Sequence, residues 1–181
     1  MALHIDPMRR LLLLRHAKAA PPAGGEDHER ALTDRGREDG RRIGDLIAAK
    51  GLVPDLLIYS SAERTRETAE IVATNWPKRV KSVAEDGLYE ASRQFILSKI
   101  RTTPDRAGVV MIVGHNPAIG EVANQLTAAG PKDDRTRMAG AFPTCGLAVL
   151  DFSTEHWANV APQAARLVRF VTPADLELRR A

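Results

Sequence analysis

The amino-acid sequence predicts an α/β fold: a three-layer α/β/α sandwich around a mostly parallel, mixed sheet. Three observations carry this prediction. Residues 11–14, 56–58 and 109–113 are short, unbroken apolar runs, the mark of strands buried on both faces of a parallel sheet. Between them lie stretches with apolar residues at helical spacing, so strands and helices alternate. Near the end, residues 146–152 and 165–171 read as strands separated by a turn alone, and such neighbours pair antiparallel.

Residues 1–8 show no periodicity and are expected to form an arm ahead of a single domain over residues 9–181. The first strand covers about residues 9–14. Residues 19–30 hold two prolines, two glycines and several charges and read as a surface loop. Thr33 or Asp34 suits a helix N-cap. Gly36, Gly40, Ile43 and Ile47 then share one helical face, and glycines there point to close contact with a neighbouring element. Gly51 stops the helix from the C′ position, with Pro54 beyond. The second strand spans residues 55–60. Residues 60–64 open a helix with Ala62, Ala69, Val72 and Ala73 inward, closed by Asn75 and Pro77.

A short, less buried strand is expected at residues 78–83, then a loop at 85–91 containing Tyr89 and Glu90. Ser92 caps a helix to about Arg101, with Phe95, Ile96 and Ile100 inward. The third buried strand exits through Gly114-His115-Asn116-Pro117, which places Asn116 as N-cap and Pro117 first in a helix to about Leu126. Residues 127–142 read as a polar connection. Thr172 or Pro173 starts a short terminal helix.

A chain of 181 residues is long enough for one domain with a real core. Its 44% hydrophobic and 27% charged content is that expected of a soluble globular protein. No stretch is long enough to span a membrane. The single cysteine, Cys145, excludes an internal disulfide and fits the reducing cytoplasm; it reads as an inert buried thiol. Five histidines and one cysteine show no zinc-ligand spacing, so no metal or other cofactor is expected. The net charge is only +3, bases alternate with acids as in Glu63-Arg64-Thr65-Arg66-Glu67, and aromatic content is 4%. These features argue against nucleic acid as a partner.

The chemistry gathers at strand exits. Arg15 and His16 follow the first strand, Arg64 lies in the opening turn of the helix after the second, and His115 follows the third. Parallel strands joined by right-handed crossovers bring all four to one sheet edge, where ligands bind in open α/β sheets. Two helix N-termini start at the same edge, adding free N–H groups and partial positive charge. Such a place suits phosphate, since each arginine offers a planar fork to two oxygens.

Arg15-His16-Ala17-Lys18, the run from Ser60 to Ala69 (Ser-Ser-Ala-Glu-Arg-Thr-Arg-Glu-Thr-Ala) and Gly114-His115-Asn116-Pro117 resemble the histidine phosphatase superfamily. Leu32-Thr33-Asp34-Arg35-Gly36 and Phe142-Pro143-Thr144-Cys145-Gly146 are similar to further landmarks of it. The chain's length, without a cap domain, is most similar to the short SixA-type branch of protein-phosphohistidine phosphatases. Superfamily members usually carry glycine where Ala17 stands; alanine suits the same turn unless a positive φ is required.

The resemblance implies a phosphoglycerate mutase-like fold and a metal-independent phosphatase. His16 would be the nucleophile, transiently phosphorylated. Arg15, Arg64 and His115 would bind the phosphoryl oxygens and stabilise their charge in the transition state. Glu90 lies where superfamily members that cleave phosphate esters carry their proton donor. His16 must be neutral to attack, and neighbouring cations favour that. The implied partner is a phosphorylated substrate such as a histidine phosphotransfer protein. A phosphatase for a small phosphate ester and a non-catalytic phosphate- or protein-binding module are the alternatives. Lys18 reads as a surface lysine, and His4, His28 and His156 stand in no motif.

Overall fold

The structure is a computed structural model and describes residues 8–178. The arm expected over residues 1–8 therefore lies outside the described residues, apart from Met8, which begins the first strand. Among the described residues, seven strands form one sheet: β1 (Met8–Arg15), β2 (Leu56–Ser60), β3 (Lys81–Glu85), β4 (Val109–Gly114), β5 (Thr127–Ala129), β6 (Leu147–Ser153) and β7 (Ala165–Val171). The α-helices are α1 (Asp34–Ala49), α2 (Glu63–Ala73), α3 (Arg93–Arg101), α4 (Ala118–Leu126), α5 (Lys132–Gly140) and α6 (Pro173–Leu178).

The strand order is β3-β2-β4-β1-β6-β7-β5. Strands β1, β2, β3 and β4 run parallel, whereas β6 is antiparallel to both β1 and β7. The sheet is thus mixed: β6 and β7 are joined by a short 3-10 turn at Trp157–Asn159 rather than by a crossover α-helix, so they pair antiparallel. The four leucines of β1 are fully buried, and they alternate between the two faces. Leu11 and Leu13 pack with Ile96 and Ile100 of α3 and Ile119 and Val122 of α4. Leu12 and Leu14 pack with Ile43 and Ile47 of α1 and Val72 of α2. Helices on both faces make β1 the centre of the core, which is why its sequence lacks polar alternation.

Thr33 is the N-cap of α1, its hydroxyl accepting the Gly36 N–H, and Gly51 takes a φ of +63° after the helix ends. Ser92 caps α3 in the same way, through the Phe95 N–H. The glycines of α1 allow a closer approach than their spacing alone conveys. A Cβ on Gly36 would lie 2.2 Å from the Lys18 carbonyl oxygen, and one on Gly44 would lie 2.3 Å from that of Val72 in α2.

Four local expectations need correction. Residues 127–142 contain β5 and α5 rather than an irregular connection. Helix α5 buries only Met138 and is held by polar contacts instead: Asp134 accepts the Phe170 N–H, and Arg137 donates to the Phe170 carbonyl and to Asp175. Asn116 is not the N-cap of α4. Pro117 occupies that position, and the Asn116 amide instead donates to the Phe142 carbonyl at 2.8 Å. The edge strand begins at Lys81, not Lys78. On α3, Leu97 is buried and Phe95 only partly so.

Gly44→Ala is expected to destabilise the fold by about 1–3 kcal/mol, the usual scale of overpacking. Gly25→Ala, which meets nothing within 4 Å, should change stability by less than about 0.5 kcal/mol. Urea denaturation of both variants checks this; equal stabilities would show that the α1–α2 contact is loose.

Candidate active site

Strand register builds the site. In the β1–β4 pair Arg15 lies level with Gly114, and in the β2–β4 pair Tyr59 lies level with Val113. The three exits therefore open side by side. His16 continues the ladder by donating its backbone N–H to the Gly114 carbonyl at 3.0 Å. The rings of His16 and His115 stand with centroids 5.3 Å apart. Arg64, the second residue of α2, is 6% exposed and comes to the same place. Four of the five residues singled out from sequence are thus brought together.

The backbone beneath them is braced. Cys145, at φ 59°, donates its N–H to the carbonyls of both Arg15 and His16. Burial pushes its thiol pKa up, so its part is structural. The Phe142 carbonyl accepts from both the Arg15 guanidinium and the Asn116 amide. The Ala17 N–H donates to the Thr68 hydroxyl, which itself donates to the Arg64 carbonyl. Ala17 is fully buried and has no positive φ, so alanine suits this turn.

The imidazoles are oriented and kept neutral. His16 is 8% exposed. Its Nδ1 lies 2.7 Å from the Ala17 carbonyl oxygen. A carbonyl only accepts, so Nδ1 carries the proton and the Nε2 lone pair is left free. Burial pushes the His16 pKa down from 6.5 to about 4; the Ala17 bond opposes this, and the charges of Arg64, Arg15 and Arg30 add to it. Nε2 of His115 lies 2.8 Å from the Ser60 hydroxyl. Burial, then the neighbouring His16 and Arg64, push the His115 pKa down to about 3. Nδ1 of His115 and Nε of both Arg15 and Arg64 are buried without a hydrogen-bond partner. Buried unpaired donors are costly, and three here on neighbouring residues fit an anion. Among the described residues no three His, Cys, Asp or Glu side chains gather as metal ligands, and no helix is long and apolar enough to cross a membrane.

Glu90 is the residue not brought in. It is exposed and makes no hydrogen bond or ion pair among the described residues. Its neighbour Tyr89 reaches the site instead, its ring centroid 5.7 Å from that of His115 and 5.8 Å from the Arg64 guanidinium carbon.

Sequence reasoning also missed the contribution of the loop before α1. Residues Asp27–Glu29 form a 3-10 turn that sits on the site. The Asp27 carbonyl and carboxylate accept from Arg64 at 2.8 and 3.1 Å, and the carboxylate also accepts from the Tyr89 hydroxyl at 2.6 Å and from Arg30 at 2.8 Å. His28 pins the turn through the Ser61 hydroxyl at 3.0 Å and lies against Tyr89. The one legible signal was the i, i+3 spacing of Asp27 and Arg30.

Proton titration by NMR tests the electrostatics. The His16 and His115 ring signals should stay constant from pH 8 to about 5.5, then titrate near 4 and 3. Both rings are neutral when folded and take up a proton on unfolding below their ordinary value of 6.5. Stability should therefore fall as pH is lowered from about 6.5 toward 4. Midpoints near 6.5 in the folded protein would show that the rings are solvated.

The chain is similar to known proteins in both sequence and fold. The model for the histidine phosphatase superfamily, branch 1, matches residues 11–96. An uncharacterized protein of Mycobacterium tuberculosis is 33% identical over 162 residues, covering 88% of this chain and 99% of that protein. Two candidate phosphohistidine phosphatases SixA have similar solved structures. That from Agrobacterium tumefaciens is 32% identical with a TM-score of 0.77, covering 91% of this chain and 98% of its own. That from Nakamurella multipartitia is 29% identical with a TM-score of 0.78, covering 92% and 96%. The chain belongs to the histidine phosphatase superfamily and, within it, to the short SixA-type branch.

Proposed function

We propose that the protein is a phosphatase that works through a phosphorylated His16 and acts on phosphohistidine carried by a protein. One observation carries the reading. A neutral imidazole with a free Nε2 lies beside three unpartnered buried nitrogens of Arg15, Arg64 and His115. The nucleophile must hold a lone pair, and the non-bridging oxygens must be met by fixed donors.

The tautomers support this division of labour. The Ser60 hydroxyl accepts the Ala62 N–H at 3.4 Å and can give its own proton to Nε2 of His115. Nδ1 of His115 then carries a proton and donates to a phosphoryl oxygen. Arg15 and Arg64 supply the positive charge that metal ions supply in other phosphoryl-transfer sites. We assign the reaction no metal and no cofactor.

The leaving group favours phosphohistidine over an ester. An ester leaves as an alkoxide and needs a proton from an enzymic acid, worth about 10²–10⁴-fold. Glu90 is exposed and forms no hydrogen bond or ion pair with the four core residues, and Asp27 is ionised, its pKa held at about 2 foremost by the Tyr89 hydroxyl. A nitrogen leaving group can take its proton from solvent beforehand. The likeness to the two candidate SixA proteins, each over nine-tenths of this chain, supports the same substrate.

Turnover of a phosphorylated histidine phosphotransfer domain should exceed that of a panel of phosphate esters in kcat/KM. It should survive exhaustive chelation. Ester hydrolysis as the dominant activity, or activity restored only by added Mg²⁺ or Zn²⁺, would overturn the proposal.

A further inference from the structure

We infer that Asp27 recognises the substrate's leaving imidazole: its carboxylate accepts the ring N–H of the phosphorylated imidazole and so selects phosphorus–nitrogen over phosphorus–oxygen bonds. This rests on the proposed phosphohistidine phosphatase reading with His16 as nucleophile. In-line displacement puts the attacking and leaving atoms on opposite sides of phosphorus. His16 is 8% exposed and forms the floor of the site, so the leaving group lies on the solvent side. There the Asp27 side chain, 49% exposed, caps Arg64, with the Tyr89 ring beside it.

The carboxylate has room for one more donor. Its two oxygens offer about four lone-pair sites. Oδ2 accepts from Tyr89 and Arg64, and Oδ1 accepts from Arg30 alone. A lone pair on Oδ1 remains. The site then treats its two imidazoles alike: the Ala17 carbonyl holds the Nδ1 proton of His16, and Asp27 holds the distal ring proton of the substrate.

The electron count follows. The Nε2 lone pair of His16 forms the new nitrogen–phosphorus bond. The substrate's nitrogen–phosphorus bond breaks, and its electron pair stays on the leaving nitrogen. The distal nitrogen keeps its proton, so a cationic ring departs as neutral imidazole. His16, with its own Nδ1 proton, becomes the cationic phosphorylated ring. No proton crosses the site in this step. An ester would instead develop negative charge on its leaving oxygen, facing a carboxylate, which disfavours it.

The test compares phosphoimidazole with phenyl phosphate. Asp27→Asn should lower the ratio of their kcat/KM values about tenfold to a hundredfold, the scale of one hydrogen bond to a charged group. In the kcat profile, which reports the bound complex, the alkaline limb for phosphoimidazole should move to lower pH, while that for phenyl phosphate stays. Equal losses on both substrates with unmoved profiles would overturn the inference and leave Asp27 as a positioning residue for Arg64. Wild-type protein provides a second measurement, independent of any variant. A phosphoimidazole methylated on the distal nitrogen lacks the N–H, and its acceleration over the uncatalysed rate should be at least about tenfold smaller. Undiminished acceleration would overturn the inference. Wild type that hydrolyses phenyl phosphate but leaves phosphoimidazole intact would overturn the proposed function itself.

Discussion

The site depends on the parallel, in-register pairing of β1 with β4 and of β4 with β2. These ladders set Arg15 level with Gly114 and Tyr59 level with Val113. A slip of one residue would turn the β1 leucines to the opposite faces and carry His16 away from His115. Both faces of β1 are buried under different helices, so the leucine run has one low-energy register. The same packing that makes the core thus fixes the distance between the two imidazoles. The 142–146 segment completes the arrangement, because the Cys145 N–H is bonded to the last carbonyls of the β1 exit.

Burial is also what makes the site electrostatically usable. Two imidazoles and two guanidinium groups are crowded where water is scarce, and the neutral forms of the imidazoles are the ones that persist. The cost is several buried donors without partners. A phosphoryl group, in the proposed function, would meet that cost with three oxygens. Asp27 offsets part of it by neutralising Arg64 from the outer side, at the price of placing a carboxylate beside an anion site. That carboxylate is tolerable if the group beyond phosphorus is a cation.

How much was legible varies with the kind of signal. Strands β1, β2 and β4 announced themselves because doubly buried strands are continuous apolar runs. The four residues Arg15, His16, Arg64 and His115 were legible because each sits at a strand exit or helix start in a recognisable motif. Helix α5 was missed because it is polar nearly all round, with Met138 alone buried, so no periodicity betrays it. Local preference makes Asn116 a cap, but its amide donates to the Phe142 carbonyl 26 residues away. Asp27 and Tyr89 meet across 62 residues, from two loops without pattern; only the folded chain brings them to Arg64. Of the adjacent pair Tyr89 and Glu90, the sequence points to the carboxylate, yet the ring is what lies against His115.

In the proposed reaction, phosphate passes through His16. Brief exposure to substrate labelled with phosphorus-32, an alkaline quench and peptide mapping test it most directly. Label is expected on the peptide carrying His16, with both label and turnover lost in His16→Ala. Label on His115 or elsewhere, or undiminished turnover in that variant, would contradict it.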